Sequence, residues 1–496
     1  MNYDKKCEAA VVVVGDVGRS PRMCNHAKML ADEGFLVKIF GFCDSLPGKA
    51  IKDHPNIRIS PILPPPELAF LPVFVQLPIK LVWNFVFLTF ALLFKTSFSN
   101  LRVVLMQNPP ALPTMPVCFL IAKLKNAKFC IDWHNYMFSI LRDKYDLTEA
   151  QITGEGNNGN SMKIRIVRIV RYLEGICGRL SDRNLCVTNA MRNDLKQHWG
   201  IEANTFYDRP PSWKFSEPTI EEIHELYQRL QEKEDGAVLK NDLIDESETL
   251  ITQKLENGTI IKREHRPLVL LSSTSWTADE KFEILLDALF EYDKIAADRS
   301  QNFPRLFVII TGKGPLKRMY MEQIDKKQLK FVNIYTPWLE AEDYPKMIAS
   351  ADLGISLHTS TSGLDLPMKV VDMFGAKVPV LAKKFRCIAE LVKEGDNGYL
   401  FENSDQLLEK LKLIAKGFPT NLKLLNLKEN VVKNKFETWE EMWNREVKDI
   451  LQLPSEFDNR RQIQKLKSIY IVAIGILSIF VFGIIYVILL RMGKFI

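Results

Sequence analysis

Asp132 and His134 stand two residues apart in the run Asp132-Trp133-His134-Asn135-Tyr136, at the end of the apolar segment KFCIDW. A carboxylate beside an imidazole is what a general base or a contact to sugar hydroxyls asks for; a capping Asp with a hydrogen-bonded His is the plainer alternative. A second cluster, GDVGRSPRM (Gly15 to Met23), follows another β-branched run. It offers Asp16 as a further candidate base. Arg19 and Arg22 beside the glycines Gly15 and Gly18 would suit a pyrophosphate, since guanidinium groups and backbone N–H groups both favour phosphate oxygens. The third cluster is LHTSTSGLDLPMKVVDMFGAKVPVLA, Leu357 to Ala382. Its Ser/Thr/Gly loop and the helix start after it should welcome an anion such as a nucleotide diphosphate, with Asp365 and Asp372 on either side of the helix start.

All three clusters need strand ends to hold them. Val11 to Val14, Phe35 to Phe42, the VVLM and KFCIDW runs, and the LCV run read as strands separated by helix patterns. The same alternation resumes with LVLL from Leu268, RLFVIIT from Arg305, ADLGISLH and VPVLA. Strand, loop, helix and strand in repetition predicts parallel sheets, whose ligands sit at the carboxyl ends of the strands. The first loop reads Gly15-x-x-Gly18 and not GxGxxG, which disfavours a dinucleotide dehydrogenase. Gln107-Asn108-Pro109-Pro110 ends one strand, and Thr311-Gly312-Lys313-Gly314 ends another, where two glycines allow a base or ribose close to the backbone.

At 496 residues the chain is too long for one core. We expect a first α/β domain over 1–213, a charged connector and insertion over 214–266, a second α/β domain over 267–453 and a linker over 454–467. The net charge of +6 is mild and does not suggest nucleic acid. Eight cysteines without paired spacing argue against zinc or a disulfide framework and for a reducing environment. The N-terminal MNYDKKCEAAVVVVGD carries no signal-peptide pattern. Ser468 to Leu490 is a 23-residue stretch without a charge, about 34 Å as a helix and long enough to span a bilayer as a tail anchor. The apolar stretch Leu68 to Phe94 is interrupted by Pro72, Pro78 and Lys80, so we expect it to lie against a membrane interface, with a spanning helix or a core helix as alternatives. Ser161 to Arg183 mixes Lys163, Arg165, Arg168 and Arg171 with Ile and Val, as a membrane-surface helix does; a solvated basic face is the alternative.

The order of GDVGRSPRM, QNPP, DWHNY, VTNAM, YDRPP, SSTSWTADE, TGKGP, PWLEAEDYP and HTSTSGLDLPMKVVDMFG resembles the chitobiosyldiphosphodolichol β-mannosyltransferases, over about residues 9 to 445. The resemblance implies a GT-B-type fold, two doubly wound Rossmann-like domains facing a cleft. It also implies inverting β-1,4 transfer of mannose from GDP-mannose to GlcNAc2-diphosphodolichol at the cytosolic face of the endoplasmic reticulum, with other dolichol-pathway transferases as partners and no cofactor. No strict Asp-x-Asp occurs, so no metal is expected and the diphosphate would rest on backbone N–H groups, a helix end and the side chains of Lys281 and Lys369. The first domain would bind the acceptor through Gly15, Gly18, Arg19, Arg22 and Asn108, with the base among His134, Asp132 and Asp16. On the donor side the implied contacts are Ser273, Thr311, Gly312, Gly314, His358, Ser362 and Gly363. Asp372 aligns with the second of two glutamates that retaining GT-B enzymes carry here, a ribose contact, whereas Asp365 falls one residue from the first. Competing readings are a GT-B enzyme with another nucleotide sugar or lipid acceptor, and a non-catalytic membrane-anchored scaffold.

Overall fold

Seven parallel strands build the first sheet: β1 (Glu8–Asp16), β2 (Leu36–Phe42), β3 (Ile57–Pro61), β4 (Leu101–Asn108), β5 (Lys128–Trp133), β6 (Arg183–Cys186) and β7 (Asn204–Thr205), in the order β3-β2-β1-β4-β5-β6-β7. Ala9 to Val13 and Val103 to Met106 are almost wholly buried. Strands covered on both faces are apolar without alternation, which is why these runs read so plainly as central strands. The helices between them are α1 (Pro21–Asp32), α2 (Lys49–Lys52), α3 (Val73–Lys95), α4 (Thr114–Leu124), α5 (Met137–Lys144), α6 (Glu149–Thr153), α7 (Met162–Leu180) and α8 (Asn189–Trp199). Thr188 caps α8 through its hydroxyl, and Gly200 ends it in the left-handed conformation.

In this computed structural model the described residues are 6–67, 73–153, 161–215, 217–240, 243, 247–274, 276–277, 280–434 and 436–451. They form two units, one from the chain up to Tyr207 and again from Met442, the other from Asp208 to Glu441. The dividing points fall a few residues before the expected 213/214, and the last helical segment divides where we expected it to stay whole with the second domain. The anchor expected at 468–490 lies outside the described residues.

The second unit opens with α9 (Ile220–Gln231), started by a Thr219/Glu222 capping box, and the antiparallel hairpin β8 (Thr252–Lys254) and β9 (Ile260–Lys262). Its main sheet is again all parallel, in the order β12-β11-β10-β13-β14-β15. The strands are β10 (Leu268–Ser273), β11 (Leu306–Thr311), β12 (Val332–Tyr335), β13 (Leu353–Ser356), β14 (Val380–Lys383) and β15 (Gly398–Phe401). Around them lie α10 (Glu283–Ala296), α11 (Lys317–Lys327), α12 (Asp343–Ser350), α13 (Met368–Gly375), α14 (Ser404–Ala415) and α15 (Leu422–Lys433). A last helix, α16 (Trp439–Glu446), follows. In each sheet the strand order reverses at one place, between β1 and β4 and between β10 and β13. Such switch points open a crevice at the carboxyl ends of the strands.

The apolar stretch after residue 67 departs from expectation. Pro78 does not interrupt it: α3 is continuous over 23 residues with the proline inside. A proline here removes one backbone hydrogen bond, which a helix this apolar and long absorbs. Pro78–Lys95 is apolar and long enough to cross a membrane by length and composition, and only 17% of it is buried. Leu88, Ala91 and Leu92 pack inward, while Ile79, Val86, Phe90 and Phe94 are exposed at helical spacing. At its end the buried Lys125 ammonium donates to the carbonyls of Leu92 (3.1 Å), Leu93 (2.7 Å) and Thr96 (2.7 Å), which closes the helix. In α7, Ile164, Val167 and Val170 are buried, whereas Met162, Ile169, Tyr172 and Leu180 are exposed beside Lys163 and Arg165.

Candidate functional site

Asp132 ends β5, next to the switch point of the first sheet, and is fully buried. Arg22 grips it with two bonds, Nε to Oδ2 at 2.7 Å and Nη2 to Oδ1 at 2.9 Å. His26, one turn further along α1, places Nε2 3.2 Å from Oδ2, and His134 Nε2 lies 3.0 Å from the same oxygen. Burial alone would raise the Asp132 pKa; Arg22 and the two imidazoles outweigh it and hold the carboxyl well below the usual range. An ionised carboxylate only accepts, so His134 Nε2 carries hydrogen in its bond to Asp132. With its hydrogen on Nε2, the neutral form of the ring has its lone pair at Nδ1, to which no bond is made among the described residues. Its side chain is 21% exposed. A buried acid that orients a partly exposed imidazole is the arrangement that makes histidine a directed base.

The loop carrying His134 is itself held from inside. His134 N donates to the Asn108 carbonyl (2.9 Å), and the Asn108 amide donates to Asn135 O (3.0 Å) and Glu174 Oε1 (3.1 Å). Glu174 on α7 also accepts from the first N–H groups of α5, Met137 at 2.8 Å and Phe138 at 2.9 Å. Burial pushes the Glu174 pKa up to about 7, against the pull of those three donors.

These contacts revise several expectations. Asp132 is no base, because Arg22, His26 and His134 occupy its oxygens. Arg22 is buried in that same pair and cannot greet a pyrophosphate. Asn108 is buried and spends its amide on the His134 loop. Asp16 accepts from Ser45 N (3.0 Å) and from the Ser45 hydroxyl; burial opposes these bonds, yet its pKa is lowered, which makes it a poor base. Gly18 serves packing, since a Cβ there would sit 2.5 Å from Ser45 Oγ. Arg19 is 83% exposed, 3.4 Å from Asp16, and Gly15 has room around it. His26 was overlooked although it follows Arg22 by one helical turn, a spacing that could have revealed it.

In the second unit a line of hydroxyls crosses the strand ends. Thr311 donates to Ser273 at 3.1 Å, Ser273 meets Tyr344 OH at 3.2 Å, and Tyr344 bonds to Asp372. Asp372 also takes Lys214 Nζ at 3.2 Å. Burial raises its pKa while Lys214 and Tyr344 pull it down. Gly312 adopts φ +125°, and a Cβ there would collide with the Thr274 carbonyl, so only glycine closes this loop against β10. Lys369, in the first turn of α13, is paired with buried Glu280, which also accepts from Thr274. Lys281 is exposed and lies near enough to Lys383 to help lower the latter's pKa, after burial.

The 359–363 loop is less open to an anion than expected. Ser360 Oγ takes the N–H groups of Gly363 (2.9 Å) and Leu364 (3.2 Å), and the Ser360 hydroxyl turns to Asp365. Ser362 Oγ lies 3.5 Å from Asp365, and His358 Nε2 3.5 Å from its other oxygen. Asp365 thus organises its own loop. The start of α13, by contrast, has no side-chain cap, which leaves N–H groups for a phosphate. Gly314 lies in the loop that leads into α11. Among the described residues no His, Cys, Asp and Glu cluster is arranged to hold a metal ion. Lys214, Tyr344 and Glu280 were not singled out from the sequence; only the structure brings them to this sheet end.

Residues 232–431 match the family model "Glycosyl transferases group 1". The chain is 40% identical to the human chitobiosyldiphosphodolichol beta-mannosyltransferase, over 87% of this chain and 90% of that protein. It is equally 40% identical to an Arabidopsis thaliana protein named UDP-glycosyltransferase TURAN, over 84% of this chain and 90% of that one. The structure of WaaG, a glycosyltransferase involved in lipopolysaccharide biosynthesis, superposes with a TM-score of 0.56 at 13% identity, covering 88% of this chain and 98% of that one. At that identity it speaks for the fold alone, the two-sheet GT-B architecture. With two doubly wound sheets and this identity over nearly its whole described length, the chain belongs to the chitobiosyldiphosphodolichol beta-mannosyltransferase family and is a hexosyltransferase.

Proposed function

We propose that this protein transfers mannose from GDP-mannose to GlcNAc2-diphosphodolichol with inversion, forming a β-1,4 bond. The observation that carries the reading is His134, held by a buried ionised Asp132 with Nδ1 open. An inverting displacement needs one base for the acceptor hydroxyl and stabilisation for the departing GDP. His134 Nδ1 takes the hydroxyl proton as the oxygen attacks the anomeric carbon. The leaving diphosphate is met by the uncapped start of α13, by Lys281, and by Lys369 once it lets go of Glu280. Ser273, Thr311 and the Gly312–Gly314 loop receive the nucleoside, and Asp372 the ribose, in exchange for Lys214 or Tyr344. Arg19 remains the cation for the acceptor diphosphate.

The body works at the cytosolic face of the endoplasmic reticulum membrane, anchored by residues 468–490 and resting on the exposed stripe of α3. Asn257, exposed in a formal sequon, should accordingly carry no glycan; a glycan there would refute the placement. Detergent-solubilised protein given labelled GDP-mannose and a GlcNAc2-diphospho-lipid should yield labelled lipid. The name of the Arabidopsis relative supports one alternative donor. Turnover with UDP-sugars and none with GDP-mannose would establish that reading instead, and no turnover with any donor would leave a scaffold.

A further inference from the structure

Trp133, Trp276, Trp439 and Trp443 are fully buried, but Trp338 is 53% exposed. It stands in the loop between β12 and α12. Lys313, in the loop after β11, holds its ammonium 3.6 Å from the centre of that indole. Among the described residues Lys313 makes no ion pair and Trp338 no hydrogen bond, so the cation–π contact is what holds the two side chains together. The backbone beneath them is fixed. Lys317 Nζ donates to the Thr336 carbonyl at 2.9 Å, and Leu316 N donates to the Trp276 carbonyl at 3.1 Å. Because β11 and β12 run parallel, both loops leave the sheet at the end that carries Thr311 and Ser273.

We propose that Trp338 and Lys313 are the specificity pair for the guanine of the donor: the base stacks on the indole in place of the ammonium, and the ammonium moves to the O6 and N7 edge of the base. The inference rests on GDP-mannose being the donor, and names the residues that read its base. Lys313 comes from the β11 loop and covers the indole face turned toward that loop. A base on this face lies beside Thr311, where the line of hydroxyls through Ser273 and Tyr344 to Asp372 begins. An ammonium over an exposed ring is held weakly and exchanges readily. Stacking of a base on an aromatic side chain is stronger and tolerates every base. Selection therefore falls to the lysine. Guanine turns two acceptors, O6 and N7, toward one cation, whereas adenine puts an amino group in place of O6. Uracil has neither the second ring nor N7, so it stacks over less area and offers the cation less.

The test is calorimetric binding of GDP, IDP, ADP and UDP to the detergent-solubilised full-length protein; IDP keeps O6 and N7 and lacks only the 2-amino group. Trp338→Ala should weaken GDP binding about tenfold or more. KM for GDP-mannose should rise in step, with kcat within about twofold of the parent. Trp338→Tyr, which keeps an aromatic face, should restore most of the affinity. Lys313→Met should bring GDP and IDP down to the level of ADP while ADP itself changes little. Both side chains are exposed, so all three variants should keep the parental melting temperature. Parental GDP affinity in Trp338→Ala overturns the stacking, and a preference for IDP over ADP that survives in Lys313→Met overturns the reading of the edge. A parent protein that binds UDP in preference to GDP refutes the donor itself, a result seen before any variant is made.

Discussion

His134→Gln should lower kcat by 10²- to 10⁴-fold, the usual worth of a positioned base, while KM for the donor stays within about twofold. Asp132→Asn should approach the same loss, because an amide can offer its N–H to His134 and turn the lone pair away from the substrate. A steady-state assay distinguishes both from loss of donor affinity. Glu174 leads to a pH prediction. Its pKa is raised from 4.5 to about 7 by burial, so the folded state binds the proton more tightly than the unfolded state does. Stability from this group is full below about pH 4.5 and declines as pH rises to about 7, by up to about 3 kcal/mol. Glu174→Gln should flatten that part of a plot of melting temperature against pH. At this scale the sequence was readable where chemistry sits beside a strand end, as in DWHNY. It was silent on which residues would spend their polar groups on one another. Arg22, Asp132 and Asn108 looked like ligand contacts because burial and pairing across 110 residues cannot be seen in one segment.

The elements were easier to foresee than the contacts. Central strands such as β1, β4, β10 and β11 are apolar throughout, since a parallel sheet covered on both faces demands it. β3 was missed beside the run of prolines, and α3 was cut short at Pro78, although a single proline need not end a helix of this length. The two faces of α3 should respond to substitution in opposite ways. Leu88→Ala, on the packed face, should cost about 2–5 kcal/mol in chemical denaturation. Phe90→Glu with Phe94→Glu, on the exposed face, should leave the denaturation midpoint nearly unchanged and reduce co-flotation with lipid vesicles. Lys125→Met tests the closure of α3. Three carbonyls lose a charged donor, and hydrogen exchange in the last turn of the helix should accelerate.

At the scale of the whole molecule, the proposed membrane attachment would divide between a tail outside the described residues and the exposed apolar stripe of α3. Two attachments in one chain act together, a spanning tail strongly and an interfacial stripe weakly. A chain ending at residue 451 should still float with vesicles, at lower affinity than the full chain; no flotation at all would leave attachment to the tail alone. The bond between Trp443 and His26 joins residues 417 positions apart. The ribosome delivers His26 early and Trp443 almost last, and domains tend to fold as they emerge. The indole of α16 therefore reaches its place in the first unit only after the intervening residues of the second unit have been made. A fragment that stops before α16 lacks that contact, so the first unit cannot be cut out of the chain as a simple N-terminal piece.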